Sequence, residues 1–161
     1  GRLTLASELE LFRRDRQMHV EGTIRPALDQ CHVVIVDRYY WSTAAYQGAR
    51  GADPAAIIAD HESFAPRPDA VMLLDVPVSA GLERIRRRGD IPNDFEKQDA
   101  LERAREIFLG LAAQYPEHCL TVDALAGVRE VSRNCLEKLQ SLAAAKLGRD
   151  SAAFASFMGL D

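Results

Sequence analysis

Asp37 and Arg38 stand side by side at the end of a β-branched run, and Tyr46 and Gln47 follow shortly after them. A carboxylate directly after a buried strand is a hard oxygen ligand, placed to hold Mg²⁺ or its waters as in phosphoryl-transfer proteins. The neighbouring guanidinium offers a planar fork of donors that matches a phosphate. A bare Asp-Arg dipeptide also makes an ordinary strand-end salt bridge, so both readings stand at this point. A second basic group, Arg84, Arg86, Arg87 and Arg88, ends a helix at a polar loop. Positive charge is favoured there by the helix dipole alone, which makes a solvated helix end the plain alternative to a phosphate clamp.

These residues need elements to place them. Thr4 is a good N-cap, and Leu9, Phe12, Met18, Val20 and Ile24 recur as an amphipathic helix or helix pair reaching about Gln30. Pro26 should bend or break it. HVVIVDR, 32–38, is short, unalternating and β-branched, which predicts a strand buried on both faces of a parallel sheet. A helical turn begins near Trp41, and Asp53-Pro54 reads as the N-cap and first position of a helix over 55–64. AVMLLDV, 70–76, predicts a second buried strand, followed by a helix over about 79–88 and a polar loop over 89–93. A long helix over about 95–115, a short strand at 119–123 and a last helix over about 128–147 complete the order. This alternation is that of a doubly wound α/β domain with a parallel sheet, whose ligands lie at the carboxyl ends of its strands. Asp37-Arg38 occupies such an end.

Composition narrows the classes further. The chain has 161 residues, 47% apolar and 27% charged, with net charge -4, so it is of one-domain size and has no general attraction to nucleic acid or anionic membrane. No run reaches the roughly 20 apolar residues needed to span a bilayer, and no secretory signal opens the chain. Cys31, Cys119 and Cys135 are far apart and lack CxxC spacing, which predicts reduced thiols in a cytoplasmic protein. His19, His32, His61 and His118 show no HxxxH pairing that would make a zinc site. The chain opens with Gly1 in place of Met, as a truncated start does.

Several stretches then carry a likeness. LELFRRDRQMHV (9–20), IRPAL (24–28), VDRYYWSTAAYQGARG (36–51) and PDAVMLLDV (68–76) occur in this order. In them the sequence resembles the thymidylate kinases, P-loop nucleoside monophosphate kinases, and the likeness continues through RRRG (86–89) and TVDA (121–124), roughly to Leu147. DRY with a downstream AYQG is its specific part, whereas DR alone is weak.

The resemblance implies a role for each matching position. Phe12 stacks on a thymine ring, and Arg16, on the same helical face, donates to a base carbonyl. Arg38 grips the phosphate of the monophosphate, while Asp37 orders Mg²⁺ through water. Ser42 and Thr43 lie beside the base, Gln47 reads its edge, and the bulk of Tyr46 disfavours a ribose 2′-hydroxyl. The basic cluster becomes a LID, about 88–95, that closes over ATP, with Arg84 and Arg88 at its recurring positions. The implied reaction turns ATP and dTMP into ADP and dTDP, with no nucleic acid or membrane partner. The family commonly forms homodimers through helices, for which the apolar face of 24–28 with the 55–64 helix is the candidate here. Tyr39, Tyr40 and Trp41 are read as packing residues, and Arg13 and Arg14 as a solvated helix face.

Two departures qualify the likeness. Positions 93–96 read NDFE where DRFE is expected, which leaves the catalytic LID arginine open. No GxxxxGK[ST] loop, the cradle for ATP phosphates, occurs in the chain, nor does the second strand with its own phosphate-binding arginine. The expectation is therefore the C-terminal portion of a P-loop kinase fold lacking its strand, P-loop and helix unit: a kinase-like domain over 1–147 and a tail over 148–161. Such a chain would not by itself bind ATP normally or turn over, and would leave strand edges unpaired and apolar surface wet at 33–36 and 71–74. A catalytically silent nucleotide-binding or assembly module, and a kinase for another deoxynucleoside monophosphate, are the alternatives.

Overall fold

The computed structural model describes residues 3–89 and 94–147, without the side chains of 94–97 and 146–147. Thr4 starts the first helix as its chemistry predicts. Its Oγ1 accepts from the Ser7 amide at 3.2 Å, satisfying one of the donors that a helix start leaves open, and α1 runs over Leu5–His19. Pro26 neither breaks the helical path nor stands alone as a kink. A π-helical turn, Val20–Ile24, widens the backbone just before it, and α2, Arg25–Asp29, continues the path with Pro26 at its second position, so the bond that a proline cannot donate falls at the π-turn.

Beyond this come α3 (Tyr40–Gly48), α4 (Pro54–Glu62), β1 (Val71–Asp75), α5 (Val78–Arg87), α6 (Asp94–Gln114), β2 (Cys119–Asp123) and α7 (Val128–Leu147). Asp53 caps α4 as expected, accepting from the Ala55 amide at 2.9 Å. β1 and β2 pair in parallel, from Val71 opposite Cys119 to Asp75 opposite Asp123, with α5 and α6 making the crossover that a parallel pair requires.

The expected strand at 32–38 is corrected. Residues 32–36 belong to no paired strand, and the sheet among the described residues has two strands. Nor are they buried on both sides: Val34 and Val36 pack against the core, while Val33 and Ile35 are 68% and 86% exposed. An extended segment becomes a strand only through a hydrogen-bonded neighbour. Leu74 of β1 is 51% exposed as well, whereas Val71 and Leu73 pack against the core, so the expectation of wet apolar surface at these two stretches is met only in part.

The core gathers Val20 and Ile24, Tyr40, Trp41 and Ala44 of α3, Ile57 and Ile58 of α4, and Leu111 of α6. Of the candidate dimer face over 24–28 and α4, Ile24, Ile57 and Ile58 are buried within this core, while Leu28 stays 41% exposed. Arg13 is not simply solvated: its Nε donates to both carboxylate oxygens of Asp60 at 3.2 and 3.1 Å, and its guanidinium lies 5.2 Å from the Phe64 ring. It ties α1 to α4.

Candidate functional site

Two aspartates end apolar runs in this fold, and they behave differently. Asp75, closing β1, takes both arms of a fork from Arg105 of α6, at 2.7 and 2.8 Å. Asp37 has no such partner among the described residues, and no ion pair joins it to Arg38. The strand-end salt bridge therefore exists at Asp75 and not at Asp37-Arg38, where both side chains are exposed.

Arg38 is held in an unusual way. Its φ is 64°, the left-handed region that costs a side-chain-bearing residue on the order of 1–2 kcal/mol. Its guanidinium sits 5.3 Å from the ring centre of Tyr46, two turns into α3. Tyr46 is fixed in turn by an edge-on contact with Phe108 of α6, at 6.0 Å and 83°. The close approach of α3 to α6 depends on Gly48, where a Cβ would stand 2.8 Å from both Ile107 Cδ1 and Pro54 Cγ.

α1 supplies the other end of the site. Phe12 is exposed and Arg16, one turn on, is half-buried. The Arg16 guanidinium lies 4.6 Å from the Tyr39 ring centre, and burial holds it below the ordinary guanidinium value. Arg16 Nε and the Tyr39 hydroxyl are both buried without a hydrogen-bond partner among the described residues. Tyr40, next in sequence, is fully buried and donates to Glu62 at 3.0 Å. Burial, reinforced by that carboxylate, pushes its phenol up, and the fork from Arg67 at 2.6 and 3.1 Å holds Glu62 below the usual carboxylate range.

The four α3 candidates divide by helical spacing. Ser42 and Tyr46 share one stripe, and Thr43 and Gln47, both buried, share the next. Gln47 is engaged: its Nε2 donates to Glu8 at 3.3 Å and its Oε1 accepts from Arg50 at 2.9 Å. Arg50 is also ion-paired with Glu8, so α1 and α3 are joined at this point. Phe12, Arg16, Arg38, Tyr46 and Gln47 thus lie on two joined helices and the turn that leads into one of them.

The basic cluster is less uniform than its sequence. Arg84 Nη2 donates to the carbonyls of Ala124 and Leu125, at 2.7 and 3.2 Å, fastening α5 to the end of β2. Arg88 is exposed, with a 3.5 Å contact to the Arg84 carbonyl. Residues 90–93 of the expected LID lie outside the described residues. A groove of about 520 Å³ between β2 and α7, lined by Leu120, Val122, Asn134 and Lys138 among others, contains none of the candidate site residues. No helix among the described residues is long and apolar enough to cross a membrane.

The sequence matches the family model for thymidylate kinase over residues 2–135. It is 51% identical over 134 residues to the thymidylate kinase of Xanthomonas campestris pv. campestris (strain B100), covering 83% of this chain and 57% of that protein. For the thymidylate kinase of Xanthomonas oryzae pv. oryzae (strain PXO99A) the identity is 47%, over 94% of this chain and 65% of that one. The crystal structure of thymidylate kinase from Ehrlichia chaffeensis superposes with a TM-score of 0.66 at 26% identity, covering 86% of this chain and 66% of that chain. The chain thus spans about 57% to 65% of the length of these curated relatives.

Proposed function

The chain belongs to the thymidylate kinase family, and from that premise we propose that it carries the acceptor half of a kinase that moves the γ-phosphoryl group of ATP to dTMP. The observation that supports this most is Arg38. It is an exposed guanidinium without a carboxylate partner among the described residues, held in a left-handed turn over Tyr46. A strained residue free of its neighbouring acid suits a ligand that brings its own negative charge.

In this reading the monophosphate lies on Arg38, the sugar against Tyr46, and the base between Phe12, Arg16 and Gln47. One phosphate oxygen of dTMP attacks the γ-phosphorus in line. An O–P bond forms, the bond to the β-phosphate oxygen breaks, and ADP leaves as dTDP is made. The acceptor is already an oxyanion, so no general base is needed, and positioning and charge neutralisation supply the catalysis. Of the two basic candidates, Arg88 suits contact with the transferring group better, because Arg84 is committed to two carbonyls.

Asp37 fits a Mg²⁺ role of limited scope. It is exposed and unpaired among the described residues, and they contain no cluster of three or more His, Cys, Asp or Glu that could hold a metal. A lone carboxylate suits an ion whose other ligands are waters and phosphate oxygens. Bound there, the ion offsets the charge that develops between the two nucleotides. The cradle for ATP is not written in these 161 residues, so ATP use is proposed for the intact protein. We further infer a cytoplasmic protein, since all three cysteines are free thiols, and a homodimer for which the outward Leu11 and Met18 of α1 are the candidate contact.

Calorimetric titration of the intact protein with dTMP, dUMP and dCMP, together with ADP release in the presence of ATP, tests the reading. Arg38→Ala should weaken dTMP by about 2 kcal/mol or more, and Arg16→Ala by about 1.5–3 kcal/mol, as expected for hydrogen bonds from charged donors. Unchanged dTMP affinity in Arg38→Ala would sink the placement of the phosphate. Tight dTMP binding without ADP release would favour a binding module.

A further inference from the structure

Gln47 poses a chemical problem. A glutamine amide presents a donor and an acceptor side by side, and half a turn about its last bond exchanges them. The two pyrimidine edges are related in the same way. Thymine offers an acceptor at O4 beside a donor at N3–H, and cytosine a donor at its 4-amino group beside an acceptor at N3. An amide free to rotate would greet both equally.

This amide is not free to rotate. We propose that Glu8 and Arg50 are positioning residues that pin the Gln47 amide in one orientation, and that this pin lets the site tell a thymine edge from a cytosine edge. The proposal rests on the reading of the site as a deoxynucleotide pocket and goes a step beyond it. Gln47 is 5% exposed. Its Oε1 accepts from Arg50 Nη1 at 2.9 Å and its Nε2 donates to Glu8 Oε2 at 3.3 Å, while the same Arg50 nitrogen is bonded to the same Glu8 oxygen.

An ionised carboxylate only accepts and a guanidinium only donates. The amide's orientation therefore follows from its partners' chemistry. Flipped, it would set its carbonyl against the carboxylate and its NH₂ against the guanidinium, replacing two hydrogen bonds by two repulsions in a buried place. Two of the amide's four hydrogen-bonding sites are consumed by the pin, which leaves one N–H and one lone pair for a base. Glu8 comes from α1 and Arg50 from just past α3, so the pin also holds together the two helices that carry the base-end residues.

The test is titration of the intact protein with dTMP, dCMP and dUMP, in the wild type and in Glu8→Gln, Arg50→Met and Arg50→Lys. Glu8→Gln keeps the shape but can donate as well as accept, and Arg50→Met keeps the stem without the donor. In both, the preference for dTMP over dCMP should shrink about tenfold, chiefly because dCMP binds more tightly. The dTMP to dUMP ratio should hold, since these bases share the same edge. Arg50→Lys, which retains a donor, should preserve the discrimination. Should Arg50→Met fail to fold, Glu8→Gln and Arg50→Lys decide the matter between them. Equal weakening of dTMP and dCMP, or an unchanged ratio in Glu8→Gln, would overturn the pin while leaving the dTMP site intact. A wild type that binds dTMP but barely prefers it to dCMP also overturns it. A wild type that binds no dTMP at all removes the functional reading itself, and the pin with it.

Discussion

The guanidinium of Arg16 rests 4.6 Å from the ring centre of Tyr39, joining α1 to the residue that immediately follows Arg38. The contact is a stack and not a hydrogen bond. Among the described residues neither the buried Arg16 Nε nor the buried Tyr39 hydroxyl has a hydrogen-bond partner, and burial pushes the arginine down and the phenol up from their ordinary values. What holds the pair is the ring face under a positive charge, worth about 0.5–2 kcal/mol. Tyr39 thereby links α1 to the turn that carries Arg38.

Tyr39→Phe keeps that face and deletes a buried hydroxyl that bonds to nothing. Since leaving a buried polar group unsatisfied carries a penalty, the variant should melt at the wild-type temperature or gain up to about 1 kcal/mol. Tyr39→Leu loses the ring and should both destabilise the protein and weaken dTMP. Paired melting curves and titrations separate the two, and a Tyr39→Phe variant as damaged as Tyr39→Leu would show that the hydroxyl matters after all.

Arg38 predicts an inverted ranking of its small substitutions. At φ 64° alanine keeps the left-handed strain and glycine does not, so Arg38→Gly should be more stable than Arg38→Ala by about 1 kcal/mol. At ordinary positions the order is the reverse. Denaturant midpoints of the two variants decide it. Neither should bind dTMP well, because both lack the guanidinium.

Much of this is legible in the sequence alone, for reasons that are local. Thr4 and Asp53 cap their helices through side chains a few residues from the amides they serve, and β1 and β2 fall on the predicted apolar runs. The segment at 32–36 is not, because being a strand depends on a neighbour that its own sequence does not contain. The same holds for contacts made across the fold. Arg13 reads as solvated because Asp60 lies on another helix, and the packing role read for Tyr39 holds against the core but leaves out its partner on α1. Glu8 was passed over, although a signal existed: Glu8, Phe12 and Arg16 recur every four residues, on one helical stripe. Arg50 carried no comparable mark.

Gly48 offers a test of the helix packing that supports Tyr46. A Cβ at this position would meet Ile107 Cδ1 and Pro54 Cγ at 2.8 Å, inside van der Waals contact, and a proline ring gives little. Gly48→Ala should therefore cost about 1–3 kcal/mol as an overpacking change, although alanine is the better helix former. Loss of dTMP affinity should accompany the shift, since Tyr46 leans on Phe108 of the same α6. A stable variant with normal binding would mean that the approach of α3 to α6 does not depend on Gly48.

His61 predicts how stability answers to pH. The side chain is 2% exposed, its Nδ1 lies 2.9 Å from the Ile57 carbonyl, and its Nε2 is buried without a partner among the described residues. A carbonyl only accepts, so Nδ1 carries the hydrogen and the neutral ring keeps its bare lone pair at Nε2. Burial is the main cause that lowers its pKa; Arg13 and Arg16 also lower it, against the Ile57 carbonyl and Asp60. The native pKa thus lies below the ordinary 6.5. Above that value both states are neutral and the contribution is complete. As pH falls below it the unfolded chain takes up a proton that the native ring refuses, and stability declines until the native pKa is reached. One such group gives at most about 1.4 kcal/mol per pH unit. Glu62, also depressed, loses its contribution only below its own ordinary 4.5, so denaturant midpoints at about pH 7.5 and about pH 5.5 isolate the histidine. The wild type should lose more stability over that interval than His61→Phe, which keeps the stacking against Tyr40 and Phe64 but cannot titrate; equal losses would mean that the ring is protonated in the folded protein.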